Sequence, residues 1–331
     1  MGQEITDSHF EPEDFAVFKQ RLGRETQLLC RWLEEGRLKS GPNVGGFELE
    51  AWLVDADARP SGIVELYLER LGDPLAVPEL ATFNVELNGS PQQLQGAALS
   101  SMYEELTGTW NRCNGVAAGL GARLAMIGIL PTARASDFTL ANMSPLHRYH
   151  ALNEQVLIRR GGKPLRLELE GYDELLLEQS DVMLEAAATS FQIHLKVDAD
   201  EGARFYNASK IISAPMVALS ANSPYLFGAD LWDETRIPLF EQAVEVGDSR
   251  RTQRVTFGVR YMESSISECF LDNWQHYPVL LPRLMDEPEE SLAHLRLQNG
   301  TIWRWNRPLI GFDAEGRPHL RIEHDRQERN E

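Results

Sequence analysis

The stretch GFELEAWL, residues 46–53, decides the fold class because apolar and acidic side chains alternate from Phe47 to Ala51. Successive side chains of a β-strand point to opposite faces of the sheet. Glu48 and Glu50 therefore share one face, while Phe47, Leu49 and Ala51 share the other. The stretch predicts a strand with one acidic face and one apolar face.

Three other stretches alternate in the same way, and each collects polar side chains on one face. These are FNVELN at 83–88 with Asn84, Glu86 and Asn88, SFQIHLK at 190–196 with Ser190, Gln192, His194 and Lys196, and HLRIE at 319–323 with His319, Arg321 and Glu323. One-sided alternation is typical of antiparallel sheets, whereas parallel strands buried on both faces have continuous apolar runs. The four stretches therefore predict an antiparallel sheet.

Outside these strands, apolar residues recur at the spacing of an α-helix. It predicts helices near residues 13–37, 97–119, 202–220, 234–246 and 275–285. Strands and helices in this mixture indicate an α+β fold. The pair Gly45-Gly46 is interpreted as a turn that leads into the first strand.

The polar strand faces have two interpretations. A sheet with one face in water needs only polar residues there, and LRLELE at 165–170, after Gly161-Gly162, fits such an exposed hairpin. The other four strands instead carry Glu, Asn, Gln, His and Arg, with little of the threonine common on solvated strands. Two carboxylates at i and i+2, joined by others from separate strands, suit Mg²⁺, which prefers oxygen ligands and bridges them to nucleotide phosphates. Spacing alone leaves both interpretations open.

Composition narrows the class of protein. The chain has 331 residues, 43% of them hydrophobic, and a formal charge of -18. Such an acidic chain has no net attraction to nucleic acid or anionic lipid. Three widely spaced cysteines, no signal-peptide pattern and no apolar run of about 20 residues favour a cytoplasmic protein with reduced thiols. Phosphate-loop, dinucleotide, zinc-protease and serine-hydrolase motifs are absent from the sequence.

Eight short motifs occur in the order seen in bacterial carboxylate–amine ligases of the second glutamate–cysteine ligase family. They are GFELEAWLVD (46–55), FNVELNGSP (83–91), SPLHRYHAL (144–152), TSFQIHLKVD (189–198), ALSANSPYLFG (218–228), DETR (233–236), GTIWRWNRP (300–308) and HLRIEH (319–324). The chain resembles this family from about residue 45 to residue 324. The resemblance implies one catalytic domain over residues 1–331, with a shortened C-terminal segment.

The resemblance also implies a fold and an activity. The fold is a curved antiparallel sheet, similar to that of glutamine synthetase, with helices on its convex face and the substrates on its concave face. The activity is ATP- and Mg²⁺-dependent joining of a carboxylate, such as glutamate, to an amine, such as cysteine, through an acyl phosphate. The expected partners are small molecules, with neither nucleic acid nor membrane, and the chain is expected to form a homo-oligomer or act alone.

Residues matching the family motifs are expected to form the site. The expected metal ligands are Glu48, Glu50, Glu86 and Glu323; the nucleotide contacts are Gln192, His194, Asn222 and Arg321; the catalytic residues are His194, Arg236 and Arg307. Arg148-Tyr149 match positions near the site. Each of these residues also has a structural interpretation, as sheet filler or as a surface ion pair.

One position departs from the family pattern. The family usually has arginine two residues after the last metal glutamate, and this chain has Asp325. Two alternatives to an active ligase follow. The first is a family member with impaired turnover that binds ATP or an amino acid in a regulatory role. The second is a scaffold protein with a solvated sheet.

Overall fold

An antiparallel sheet of eight strands forms the centre of the structure, a computed structural model that describes residues 10–39, 41–246, 253–258 and 260–326. The strands of the chain are β1 (Val44–Val54), β2 (Ala76–Pro78), β3 (Asn84–Asn88), β4 (Gln92–Gln93), β5 (Arg123–Ala125), β6 (Leu165–Glu170), β7 (Glu174–Gln179), β8 (Phe191–Val197), β9 (Tyr225–Leu226), β10 (Ala229–Asp230), β11 (Asn306–Phe312) and β12 (Pro318–Arg326). The order across the sheet is β11-β12-β8-β1-β3-β2, with β4 and β5 paired to the ends of β1. β6 pairs with β7 and β9 with β10 in separate hairpins.

The strands predicted from alternation are confirmed. The segments around 46–53, 83–88, 190–196 and 319–323 are β1, β3, β8 and β12, and all neighbouring strands among them are antiparallel. The 165–170 hairpin is also confirmed, because β6 alternates between buried leucines and exposed Arg166, Glu168 and Glu170. The antiparallel α+β class is therefore correct.

The interpretation of Gly45-Gly46 as a turn is wrong. Both glycines lie inside β1 and pair with Leu195 and His194 of β8. A Cβ atom on Gly45 would lie 2.8 Å from Leu94 Cδ2, so a larger residue there would require the Leu94 side chain to move. The nearest atom to a Cβ on Gly46 would be 4.0 Å away, so this glycine leaves room beside His194.

Helices surround the sheet. They are α1 (Pro12–Glu34), α2 (Val64–Leu71), α3 (Ala98–Gly119), α4 (His147–Arg159), α5 (Gly202–Ser220), α6 (Arg236–Ala243), α7 (Ser267–His276) and α8 (Ala293–Gly300). α1, α3, α5 and α6 correspond to four of the predicted helices. α2, α4 and α8 were not predicted. Among the described residues, no helix is both long and apolar enough to cross a membrane.

The helix predicted at 275–285 is wrong. The helix of this region, α7, ends at His276, and Tyr277 after it has an extended backbone at φ -91° and ψ 123°. Proline disfavours the helical conformation in the residue before it. Pro278 therefore ends the helix, and a second proline, Pro282, lies four residues further along the chain.

The apolar face of β1, β3 and β8 packs against α2 and α3. Phe47, Leu49, Ala51 and Leu53 of β1 are all buried there, as the alternation predicts. α5 packs against β11 and β12, where Ser209 Oγ donates to Asn306 Oδ1 at 2.6 Å. Asn306 pairs with His324, and both lie on the strand face opposite Arg307 and Glu323. α2, α3 and α5 thus cover one face of the sheet and leave the polar face for another use.

Candidate functional site

Strand register brings most of the predicted site residues into three adjacent rows on one sheet face. The first row is Arg307, Glu323, His194 and Gly46; the second is Asp325, Gln192, Glu48 and Asn88; the third is Glu50 and Glu86. Neighbouring strands lie about 4.8 Å apart, so residues opposite each other in a row are within side-chain reach. Arg321 lies on the same face, paired with Lys196.

This polar face is not solvated. Relative exposure is 8% for Glu48, 3% for Glu86, 6% for His194 and 4% for Glu323. Burying a charged group is costly unless it is paired or binds a ligand. The solvated-sheet interpretation is therefore wrong for this face.

A cavity of about 280 Å³ lies over the face. The strands form its floor. Arg148, Tyr149 and Leu152 of α4, the end of α8 and the segment 301–304 that follows it contribute to its walls. Because side chains of β1, β3, β8, β11 and β12 line one cavity, this face of the sheet is concave. The volume is close to the lower limit of about 300 Å³ for small-molecule pockets.

α8 is held in place by a buried contact with α1. Glu25 of α1 accepts from Leu295 N–H at 2.8 Å and contacts His294 Nδ1 at 2.5 Å. This contact fixes the start of the helix that leads into the cavity wall.

The β1–β3 end of the cavity is acidic. Burial, together with the carboxylates of Glu79, Asp325 and Glu86, holds the pKa of Glu50 well above its usual range. Burial and the carboxylates of Glu79 and Glu48 raise the pKa of Glu86 to about 8. Glu50 accepts from Ser190 N–H at 2.8 Å, and Glu86 accepts from Asn88 Nδ2 at 2.7 Å. These few donors do not offset the repulsion, so this end favours a cation.

Glu48 lies between the acidic end and His194. Its Oε1 is 3.2 Å from His194 Nε2. Burial acts to raise the pKa of the Glu48 carboxyl, but the His194 ring outweighs burial and holds that pKa well below its usual range. Both ring nitrogens of His194 are buried, and neither has a hydrogen-bond partner of good geometry within the described structure.

The β11–β12 end of the cavity carries arginines. Arg307 Nε donates to Glu323 Oε1, and both side chains are largely buried. Arg307 Nη1 and Arg321 Nε are buried atoms without hydrogen-bond partners in the part of the chain that the structure describes. Unsatisfied guanidinium donors beside a cavity suit an anionic oxygen ligand such as phosphate.

Arg236 lines the cavity but is already bonded. Its Nη1 donates to Asp325 Oδ1 at 2.9 Å and its Nε donates to Glu234 Oε1 at 3.1 Å. Asn222, expected to contact nucleotide, is not among the described residues that line the cavity. Its backbone N–H donates to Glu234 Oε2 at 3.1 Å, which places it behind Arg236.

The cavity supplies the type of ligand atom that Mg²⁺ prefers, but the side chains do not stand in the positions of a preformed metal site. Glu48, Glu50 and Glu86 supply oxygen donors whose mutual repulsion a cation would relieve. Within the described residues, no three His, Cys, Asp or Glu side chains already stand together as a metal site. Glu323 is engaged by Arg307. These residues could hold the ion if their side chains move.

Two acidic residues that line the cavity, Glu79 and Glu185, were not predicted from the sequence. Glu79 follows β2 and accepts from Tyr149 O–H at 3.1 Å, while Arg148 Nη2 donates to Tyr149 Oη at 2.8 Å. Glu185 lies in a single helical turn, Met183–Ala187. Neither residue sits in an alternating stretch, so strand periodicity has no signal for them. The match of Arg148-Tyr149 to a family motif was the only sequence signal for this part of the cavity.

Glu185 should make stability depend on pH. Burial, then the nearby Glu79, raise the pKa of Glu185 to about 8, although Arg148 acts to lower it. Because this folded-state pKa exceeds the value near 4.3 of an unfolded chain, ionisation costs stability as pH rises from about 4 to about 8. Glu185→Gln removes that cost. In urea unfolding, we expect the stability gain of the variant over wild type to grow by about 3–4 kcal/mol between pH 5 and pH 8.

A matched variant controls for the loss of one negative charge. Glu170→Gln makes the same chemical change on the exposed face of β6. It should leave the pH dependence unchanged. A constant difference between Glu185→Gln and wild type at both pH values would show that Glu185 ionises normally.

Two of the solved structures that resemble this chain are distant in sequence. One is glutamate–cysteine ligase from Francisella tularensis in complex with AMP, at 11% identity and a TM-score of 0.48, covering 87% of this chain and 62% of that one. The other is a bifunctional glutathione synthetase from Pasteurella multocida, at 10% identity and a TM-score of 0.35, covering 89% and 44%. The chain thus spans less than two thirds of either protein. Such low scores say nothing about shared substrates.

Comparison of the sequence itself is more specific. No curated protein matches it significantly. The family model for glutamate–cysteine ligase family 2 matches residues 44–258, which is more than half of the chain and includes β1, β3 and β8. The chain therefore belongs to glutamate–cysteine ligase family 2, a family of ATP-dependent carboxylate–amine ligases.

Proposed function

We propose that this chain uses ATP and Mg²⁺ to join a carboxylate to an amine, with glutamate and cysteine as the first substrates to test. The observation that carries the proposal is the polarity of the buried cavity. Carboxylates collect at its β1–β3 end, and arginines with unsatisfied donors collect at its β11–β12 end. ATP with a divalent cation has the complementary distribution of charge.

The reaction needs no enzyme nucleophile. A carboxylate is a poor acyl donor, so a substrate oxygen attacks the γ-phosphorus of ATP and ADP leaves. The amine then attacks the acyl carbon, loses a proton, and phosphate departs with the former carboxylate oxygen. Catalysis of this kind depends on positioning and on neutralising charge.

The residues divide into two groups. Arg307 and Arg321 would donate hydrogen bonds to the transferring phosphoryl group, and His194 and Gln192 would lie beside the phosphates. Glu48, Glu50, Glu86 and Glu323 would hold Mg²⁺, to which Glu79 is a further oxygen donor. When bound, the ion supplies positive charge that the phosphates need.

A second candidate function is supported by the pair between Arg236 and Asp325. Because Asp325 neutralises an arginine expected at a substrate, the chain could bind Mg-ATP without turning it over, in a regulatory role. This candidate differs from the ligase only in the chemical step.

Two measurements distinguish these candidates. Mg-ATP should raise the melting temperature, since a ligand at about 100 times its Kd stabilises the native state by about 2.7 kcal/mol. ADP should form only when a carboxylate and an amine are both present. Binding without ADP formation would favour the regulatory candidate. Absence of Mg-dependent ATP binding would contradict both.

A further inference from the structure

The positive charge of Arg236 is already paired with carboxylates of the protein. It begins α6, and its side chain is only 5% exposed. Two carboxylates, from Asp325 and Glu234, occupy Nη1 and Nε. The guanidinium also lies over the ring of Trp305, 5.0 Å from the centroid. A ligand carboxylate would compete with Asp325 and Glu234 for the single positive charge of Arg236.

The corner around Arg236 has an excess of negative charge. Glu234 is fixed there, because its Oε2 accepts from Asn222 N–H and Ser223 O–H, both at 3.1 Å. One guanidinium therefore faces two carboxylates. The next arginine in the sheet, Arg307, is paired with Glu323. Asp325 lines the cavity itself, so its charge faces the ligand.

Arg321 does not compensate for this charge. It lies on the same face of β12 but four residues from Asp325. Four residues along a strand span about 13 Å, which is beyond a direct contact. The cavity therefore offers cationic donors for phosphate near Arg321 and Arg307, and an acidic corner at Asp325.

We propose that Asp325 determines specificity for the acyl substrate, selecting a monocarboxylate whose far end is cationic or neutral over a dicarboxylate such as glutamate. The inference rests on the proposed ligase function and revises its acyl donor. A second carboxylate at this corner meets Asp325 and Glu234 at close range in a buried site, where like charges repel strongly. An ammonium or amide group can instead donate a hydrogen bond to Asp325.

Two probe substrates isolate this effect. Glutamate and 4-aminobutyrate share the reacting carboxylate and the ammonium group, and differ only in the second carboxylate. Hydroxylamine serves as a small amine, so the pocket for the natural amine does not affect the comparison. We expect kcat/KM, from ADP formation with Mg-ATP, to be at least about tenfold higher for 4-aminobutyrate.

The variant Asp325→Asn keeps the shape and removes the charge. It should shift the ratio of the two kcat/KM values toward glutamate by at least about tenfold. Asp57→Asn, on an exposed turn after β1, is the matched control and should leave the ratio unchanged. A wild-type preference for glutamate, or the same ratio in Asp325→Asn, would overturn the inference.

Ligand binding, measured as a shift in melting temperature, tests the selectivity independently of turnover. With Mg-ATP present, 4-aminobutyrate should raise the wild-type melting temperature more than glutamate does, and Asp325→Asn should reduce the difference. Equal shifts, including no shift from either, would overturn the inference even if ADP never forms. Loss of Mg-ATP binding is a different result, since it contradicts the proposed function.

Discussion

Glu86→Gln should lower Mg-dependent ATP turnover by about 100-fold or more, because Mg²⁺ supplies several kcal/mol of charge stabilisation and, under the proposed function, Glu86 would help to hold it. The fold should remain intact. Glutamine has nearly the same shape, and its Oε1 can still accept from Asn88 Nδ2, as Glu86 does at 2.7 Å. The change also removes repulsion from Glu79 and Glu48, so the melting temperature without ligand should not fall.

Two comparisons make this result specific. Glu50→Gln should behave in the same way, while Glu170→Gln on the exposed face of β6 should keep wild-type turnover. Raising Mg²⁺ should restore part of the lost rate in Glu86→Gln if the carboxylate binds the ion. Near wild-type turnover by both cavity variants at low Mg²⁺ would show that these carboxylates are not metal ligands.

Arg307→Ala should affect both stability and activity. It leaves Glu323, whose side chain is 5% exposed, as a buried carboxylate without its guanidinium partner. Breaking a buried ion pair on one side costs about 3–5 kcal/mol. Turnover should also be lost, because Arg307 Nη1 is one of the unsatisfied donors of the cavity.

Two further variants separate those effects. Arg307→Lys keeps the charge but not the planar pair of donors, so stability should mostly return while turnover stays low. In the double variant Arg307→Met with Glu323→Gln, stability should recover without activity, because no buried charge is left unpaired. Urea unfolding and ADP formation measure the two properties. Full activity in Arg307→Lys would mean that Arg307 supplies only charge.

Strand periodicity predicted the sheet and which residues share the face of the candidate site. In β1, β3, β8 and β12, every second residue must face the apolar core, so local sequence determines which residues share the polar face. Register between strands then brings Glu50 beside Glu86 and Glu323 beside His194. These positions depend on pairing, but the hydrophobic pattern restricts pairing strongly.

Other features depend on contacts that local sequence does not contain. The bond between Arg236 and Asp325 joins residues 89 positions apart, and alternation places Asp325 on the cavity face without indicating its partner. Glu185 reaches the cavity from one isolated helical turn. α8 begins after Leu292, which has a left-handed backbone with φ 51°. Its start is therefore not marked by Ser, Thr, Asp or Asn, the residues that usually cap a helix.

Isotope transfer between the substrates tests the central claim most directly. Wild-type protein would be given Mg-ATP, hydroxylamine and 4-aminobutyrate or glutamate labelled with ¹⁸O in the reacting carboxylate. We expect one ¹⁸O atom in each inorganic phosphate released, because the carboxylate oxygen forms the bond to phosphorus and leaves with it. Unlabelled phosphate, or no phosphate dependent on both the carboxylate and the amine, would contradict the account.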